Sequence, residues 1–251
     1  MASSVDSMSD HLVIITGASS GIGAAIAEQA LTGGAAVATM SRRPGPGDHL
    51  AVDLGDPATW ANAVLWTDSR IREAAGSGAT RVSYVHNAGT LEPVGFAGEV
   101  DEAAYQTNVL LNSAAGQVLG SGFLTTMADV GLDGLLIMMS SGAGKHPIAG
   151  WSSYCAAKAA LDMWVRVAGL EQQERNSKTI VASVAPGVVD TAMQAEVRSR
   201  SSDAFPDVAR FRAMHDEGQL ASADDVGSMF WNLCQRPNVE QGTVTSISDV
   251  V

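Results

Sequence analysis

"HLVIITGASSGIGAAIAEQAL", His11 to Leu31, is the stretch on which the fold turns. An apolar, β-branched run ends at Thr16, three glycines follow at positions 17, 21 and 23, and an alanine-rich segment of helical composition begins. A strand that turns sharply into a helix is the context a dinucleotide-binding turn requires. Gly17 permits the tight turn, Gly21 lets main-chain N–H groups approach a pyrophosphate, and Gly23 lets helix and strand pack closely. A glycine-rich turn without a ligand is the competing reading, and the strand-turn-helix setting favours the cofactor. The spacing is GxxxGxG rather than GxGxxG.

Outward from this stretch, "AAVATM" (35–40), "RVSYVHN" (81–87), "LLIMMSS" (135–141), "TIVASVAP" (179–186) and "GTVTSIS" (242–248) read as further strands, with a weaker one at "HLAVDL" (49–54). Helical patterns fall between them. The runs are nearly continuous in apolar residues rather than alternating, as parallel strands covered on both faces are. The order predicts an α/β protein with a doubly wound sheet. "RRPGPGD" (42–48) is a turn-rich loop and "RSRSSDAFPD" (198–207) a polar excursion with the character of a mobile lid. Neither divides the chain, so residues 11–251 are expected to form one domain behind an extended or disordered segment over 1–10.

Composition narrows the function. With 251 residues, 46% hydrophobic and 17% charged, the chain can bury one sizeable core. A formal net charge of -12 with no compensating basic run opposes nucleic acid and anionic membranes as partners. Cys155 and Cys234 lack metal-type spacing, and His11, His49, His86, His146 and His215 show no ligand pattern, so neither a disulfide framework nor a metal is expected. The first ten residues carry two aspartates, and no apolar run approaches about 18 residues, which predicts a cytoplasmic protein.

"GWSSYCAAKAALDM" (150–163) sets Tyr154 and Lys158 one helical turn apart on one face. Alone, this pair would mean a lysine stem lying over a half-buried tyrosine. Combined with the GxxxGxG turn it resembles the short-chain dehydrogenase/reductase family, and other positions agree. "NAG" at Asn87, Ala88 and Gly89 ends the fourth strand, Asn108 lies in the helical segment after it, and Ser141 ends the fifth strand thirteen residues before Tyr154. Pro186 and Gly187 follow the sixth strand. The resemblance spans nearly the whole chain and implies a single Rossmann-type doubly wound parallel seven-stranded sheet with helices on both faces.

The chemistry explains the residue types. Reducing a carbonyl by hydride leaves an alkoxide, so the site must deliver a proton and stabilise the developing charge. Tyr154 fits the acid, and nearby positive charge from Lys158 and an oxidised nicotinamide would ease its proton off near neutrality. By resemblance, Lys158 also holds the nicotinamide ribose, Ser141 hydrogen-bonds the substrate carbonyl, and Asn108 supports a water relay to Lys158. The same resemblance lays the cofactor along Gly17, Ser19, Ser20, Gly21, Ile22 and Gly23, then Asn87, Ala88 and Gly89, and finally Pro186, Gly187, Val189 and Thr191. At the end of the second strand, "MSRRP" offers Arg42 and Arg43 where an NAD-selecting carboxylate would stand, which points to NADP (NADPH). Ser20 stands where many NADP-dependent relatives have a basic residue. Asp53 resembles the family's adenine contact and is equally placed to cap a helix beginning near Pro57.

Within the family, "GWSSYCAAKAALDM", "NAGTLEPVG" and "APGVVDTAMQ" are similar to sepiapterin reductases and benzil (1,2-diketone) reductases, which implies a small-molecule substrate with adjacent carbonyls. Ala192 departs from the Asp usual there. Leu91 and Trp151 become candidate pocket walls. Asp249, seven residues after Gly242, matches the Asp that anchors the pterin ring in sepiapterin reductases. Relatives pair through the helices after the fourth and fifth strands, here near 101–127 and 152–175 with Leu161, Trp164 and Leu170, so a homodimer or homotetramer is expected. Two other readings compete: oxidation of a secondary alcohol, with the same tyrosine as base, and a nucleotide-sensing protein without turnover, which would be free to lose Tyr154 or Lys158.

Overall fold

Strands that are apolar throughout need cover on both faces, and the computed structural model, which describes residues 9–251, provides it. Seven parallel strands form one sheet in the order β3-β2-β1-β4-β5-β6-β7. They are β1 (His11–Thr16), β2 (Ala36–Ser41), β3 (Asp48–Ala51), β4 (Arg81–His86), β5 (Asp133–Met139), β6 (Thr179–Ala185) and β7 (Thr243–Ser246). Because side chains alternate along a strand, successive residues of β1 enter opposite cores. Val13 and Ile15 meet α1 (Gly21–Thr32) and α8 (Ala223–Gln235) through Ile26, Ala30, Val226 and Phe230. Leu12 and Ile14 belong to the other core, with Ile71 of α2 (Trp60–Gly76), Phe123 of α4 (Ala115–Val130) and Leu161 of α5 (Ser152–Glu174). This is the doubly wound Rossmann-type sheet expected. Among the described residues no helix is long and apolar enough to cross a membrane. Residues 1–8 of the expected N-terminal segment lie outside the described residues.

Several local expectations change. β3 stops at Ala51 instead of continuing to 54, because the Asp53 carboxylate accepts a hydrogen bond from Gly55 N and bends the chain away. The cap at Pro57 is Asp56, which accepts from Ala58 N, and not Asp53. β7 ends at Ser246 and a 3-10 turn covers Ile247–Asp249. The segment 198–207 is anchored: Arg200 pairs with Glu92 and Glu196, Arg198 with Asp190, and Phe205 is fully buried.

Two features aim the site. β1 and β4 are neighbours, and the chain leaves them toward opposite edges, which opens a crevice at their carboxyl ends. The helix after β4 is also broken, with α3 (Glu102–Val109) passing through a π turn at Leu110–Ala114 before α4 begins. Such turns take in an extra residue and often mark functional sites. Here Asn108 precedes the turn and Asn112 lies within it, and both donate side-chain hydrogen bonds to Thr90 O, so the loop after β4 is tied to the break.

Candidate active site

The glycine turn is welded to the end of β4. Gly17 has φ +68° and donates to Met40 O at 2.7 Å. A Cβ on Gly23 would lie 2.5 Å from both Asn87 Nδ2 and Gly17 O, so α1 can approach only because that Cβ is missing. Thr16 Oγ1 accepts from Asn87 N and Ala88 N, both at 3.0 Å, which occupies its lone pairs. Its own proton is therefore left for His86 Nδ1 at 3.3 Å, and the neutral imidazole carries its hydrogen on Nε2. Burial, with Lys158 close by, pushes His86 down to about 3, so it stays neutral.

Above the turn lies a cleft of about 290 Å³. One wall is Gly17, Ser19, Ser20, Gly21 and Ile22, and the floor is Asn87, Ala88 and Gly89. Arg42, Arg43 and Asp53 line one end; Tyr154, Lys158, Pro186 and Thr191 line the other. A nicotinamide dinucleotide fits these residues. A Cβ on Gly21, which has φ +58°, would face Thr191 Cγ2 across 3.5 Å, so the missing side chain leaves main-chain N–H groups open to a phosphate. Arg42 and Arg43 are exposed and form no ion pair among the described residues. Gly23 lies beneath this cleft, while Gly187 and Val189 line an adjoining pocket.

Tyr154 and Lys158 stand in the first two turns of α5. That helix can start where it does because Gly150 has φ +87° and a Cβ there would fall 2.6 Å from Ala204 O. Both side chains are buried. Lys158 Nζ donates to Met139 O at 2.8 Å and sits 5.7 Å from the Tyr154 ring centroid. Burial pushes the phenol up to about 12, against a downward pull from the Ser141 hydroxyl, and pushes Lys158 down to about 8, opposed by Asp162. The direction for Tyr154 is opposite to the lowering expected from Lys158, because desolvation of the phenolate outweighs an ammonium held at the strand end. A phenol kept protonated is the form a proton donor needs.

Ser141 borders the adjoining pocket, its Oγ accepting from Ala143 N at 3.2 Å. The Asn108 side chain lines neither cavity, is fully buried, and donates to Thr90 O and Glu92 O, while Oδ1 has no partner among the described residues. Asn112, one turn on, borders the cleft, and its Oδ1 would lie 2.7 Å from a Cβ on Gly89. The reading of the sequence missed it, although the repeated Asn in "NVLLN" was a signal.

The adjoining pocket, about 470 Å³, opens on the other side of Tyr154. Leu91 and Trp151 line it, with Phe211 of α7 (Val208–Asp216) beside them. Trp151 stacks on Phe205 at 4.7 Å and meets Tyr154 edge-on at 5.6 Å. Phe205 and Phe211 carried no signal in the sequence, since nothing local ties them to Trp151. Asp249 closes the 3-10 turn at Ile247–Asp249. It is exposed, borders neither cavity, and its nearest side-chain partner is Ser248 Oγ at 3.4 Å. Its 3-10 turn is held by Ile247 and Val250 on the core shared with α1 and α8, and the carboxylate is exposed. Among the described residues no three His, Cys, Asp or Glu side chains gather where they could hold a metal.

A family model described as short chain dehydrogenase matches residues 11–202. The chain belongs to the short-chain dehydrogenase family. This short-chain dehydrogenase is 33% identical over 241 residues to a benzil reductase ((S)-benzoin forming) of Bacillus subtilis, covering 95% of this chain and 99% of that one. It is 29% identical over 257 residues to the sepiapterin reductase of Rattus norvegicus, covering 94% and 96%. Among solved structures it is similar to the KRED1-Pglu enzyme, with a TM-score of 0.79, 28% identity and coverage of 93% and 99%. As a member of the family it is an oxidoreductase, and the family uses nicotinamide cofactors.

Proposed function

We propose that the chain is an NADPH-dependent carbonyl reductase that transfers hydride to a ketone, most often one of two adjacent carbonyls in a diketone or a pterin side chain. The observation that carries this reading is the place of Tyr154, the buried phenol that lines both the cleft above the glycine turn and the aromatic-walled pocket. When bound, the cofactor supplies the hydride. The glycine turn and the Asn87–Gly89 floor cradle its phosphates and ribose, and Arg42 with Arg43 receives the extra phosphate. Ser141 donates to the substrate oxygen, Tyr154 gives it a proton, and Lys158 offsets charge left on the phenolate. Trp151, Leu91 and Phe211 exclude water and hold an aryl or other flat group beside the reacting carbon.

The similarity to benzil and sepiapterin reductases supports the dicarbonyl class. The test is consumption of NADPH and of NADH with benzil, sepiapterin and simple ketones. A dicarbonyl should be reduced, faster with NADPH, whereas tight NADPH binding with no turnover on any carbonyl would refute the proposal. The proposed assembly is a cytoplasmic homodimer or homotetramer. Leu161 is fully buried and Trp164 half-buried in the chain's own core, so the pairing face is instead Met163, Val167 and Leu170 of α5 with Val118 of α4, all exposed. Such a face is stable when a second copy covers it.

A further inference from the structure

Tyr154, Ser141 and Lys158 leave unused a buried carboxylate one turn beyond Lys158. Asp162 is 3% exposed. Its Oδ1 accepts from Ser140 Oγ at 2.7 Å and from Ser183 Oγ at 2.6 Å, while Oδ2 has no hydrogen-bond partner. Gly144 presses so close that a Cβ there would sit 2.8 Å from Oδ2. A carboxylate so enclosed is strongly disfavoured unless hydrogen bonds and a counter-charge offset its lost hydration. The two serines supply the first.

Lys158 supplies the second. It lies four residues back on the same helix, so the two side chains share a face, and it is itself buried. Of the groups packed about it, Tyr154 on α5 and His86 on β4 are neutral near pH 7, and Asp162 carries the negative charge that opposes the effect of burial on the ammonium. The contacts also have a mechanical side. Lys158 Nζ is bonded to Met139 O and Asp162 to the Ser140 hydroxyl, so two successive turns of α5 are fastened to the two residues that precede Ser141.

We propose that Asp162 is a positioning residue of the reaction site: clamped by Ser140 and Ser183, it supplies the counter-charge for the Lys158 ammonium and fixes the strand end that presents Ser141 to Tyr154. The inference rests on the reading of Tyr154 and Lys158 as the reacting pair. Its test does not need turnover. With lysine labelled by ¹³C at Cε, the resonances of Lys145, Lys158 and Lys178 are followed against pH, Lys158 being assigned by its loss in Lys158→Met. In Asp162→Asn the midpoint for Lys158 should fall by about one pH unit or more, with Lys145 and Lys178 unmoved. The alkaline limb of kcat/KM should fall with it, because the charged lysine then survives to a lower pH only. Asp162→Ser, which is smaller and keeps a polar group for the two serines, should show the same shift and serves if the Asn variant does not fold. A folded variant with unchanged Lys158 titration would overturn the proposal and leave Asp162 as a tie between helix and sheet. So would failure of both variants to fold. If no carbonyl is reduced but the lysine midpoint moves, the proposed function fails while the coupling stands.

Discussion

The two cavities that meet at Tyr154 are built differently. The middle of the cleft is built on main chain, the glycines at the end of β1 and the Asn87–Gly89 corner at the end of β4, locked by hydrogen bonds that Thr16 Oγ1 accepts from Asn87 N and Ala88 N and that Asn87 Nδ2 donates to Thr16 O and Gly17 O. The pocket is made mostly of side chains brought from five separate segments, around Ile22, Leu91, Ser140 to Tyr154, Pro186 to Val197, and Asp207 to Phe211. Main-chain geometry tolerates few residue types, whereas an aromatic wall can be assembled from many. The cleft should therefore respond to substitution in an all-or-none way and the pocket in a graded one.

The sharpest break of this comparison is at Tyr154, one of the residues that line both cavities. Tyr154→Phe keeps the ring that edges Trp151 but deletes the proton donor, so turnover should fall by about 10²–10⁴-fold while NADPH binding, read by fluorescence titration, stays within about twofold. Activity close to wild type would show that the two cavities share a wall and no chemistry. Next in size is the cleft alone. Arg42→Asp removes a phosphate partner and adds a repelling carboxylate, so the ratio of kcat/KM for NADPH to that for NADH should drop by about tenfold or more, with the KM for a diketone unchanged. An unaltered ratio would remove Arg42 from the cofactor's reach.

The pocket alone should give a smaller effect. Trp151→Phe retains an aromatic side chain but loses part of the stack on Phe205, so the KM for benzil should rise by roughly fivefold, equivalent to about 1 kcal/mol, with NADPH affinity unaffected. A fall in NADPH affinity instead would mean that the cavities are not separable. The smallest expected effect is at the chain's end. Because Asp249 is exposed and lines neither cavity, Asp249→Ala should change the KM for sepiapterin by less than about twofold, where a carboxylate bonded to the pterin would cost about tenfold or more. A tenfold rise would show that the tail swings into the pocket when substrate binds.

Features set by neighbours in the chain were legible without coordinates. The strand-turn-helix at 11–31, the one-turn spacing of Tyr154 and Lys158, and the strands read from apolar runs all follow from local sterics and from side-chain periodicity, which a sequence displays directly. Ends of elements were less legible. β3 and the helix near Pro57 hinge on whether Asp53 or Asp56 takes up a main-chain N–H, and both aspartates offer the same chemistry at nearly the same place.

What only the tertiary structure decided is the set of relations between distant residues. Asn108 donates to Thr90 and Glu92, and Asn112, within the π turn, borders the cleft, a placement that depends on how the loop after β4 packs against the broken helix. Phe205 and Phe211 reach Trp151 only because α6 (Ala192–Ser199) and α7 fold back over the start of α5. The sequence by itself determined which bonds each residue is able to make. Burial decided which of them were made, and it also raised the Tyr154 pKa where charge alone would have lowered it, since desolvation depends on every atom packed around a group and no short stretch of chain contains that information.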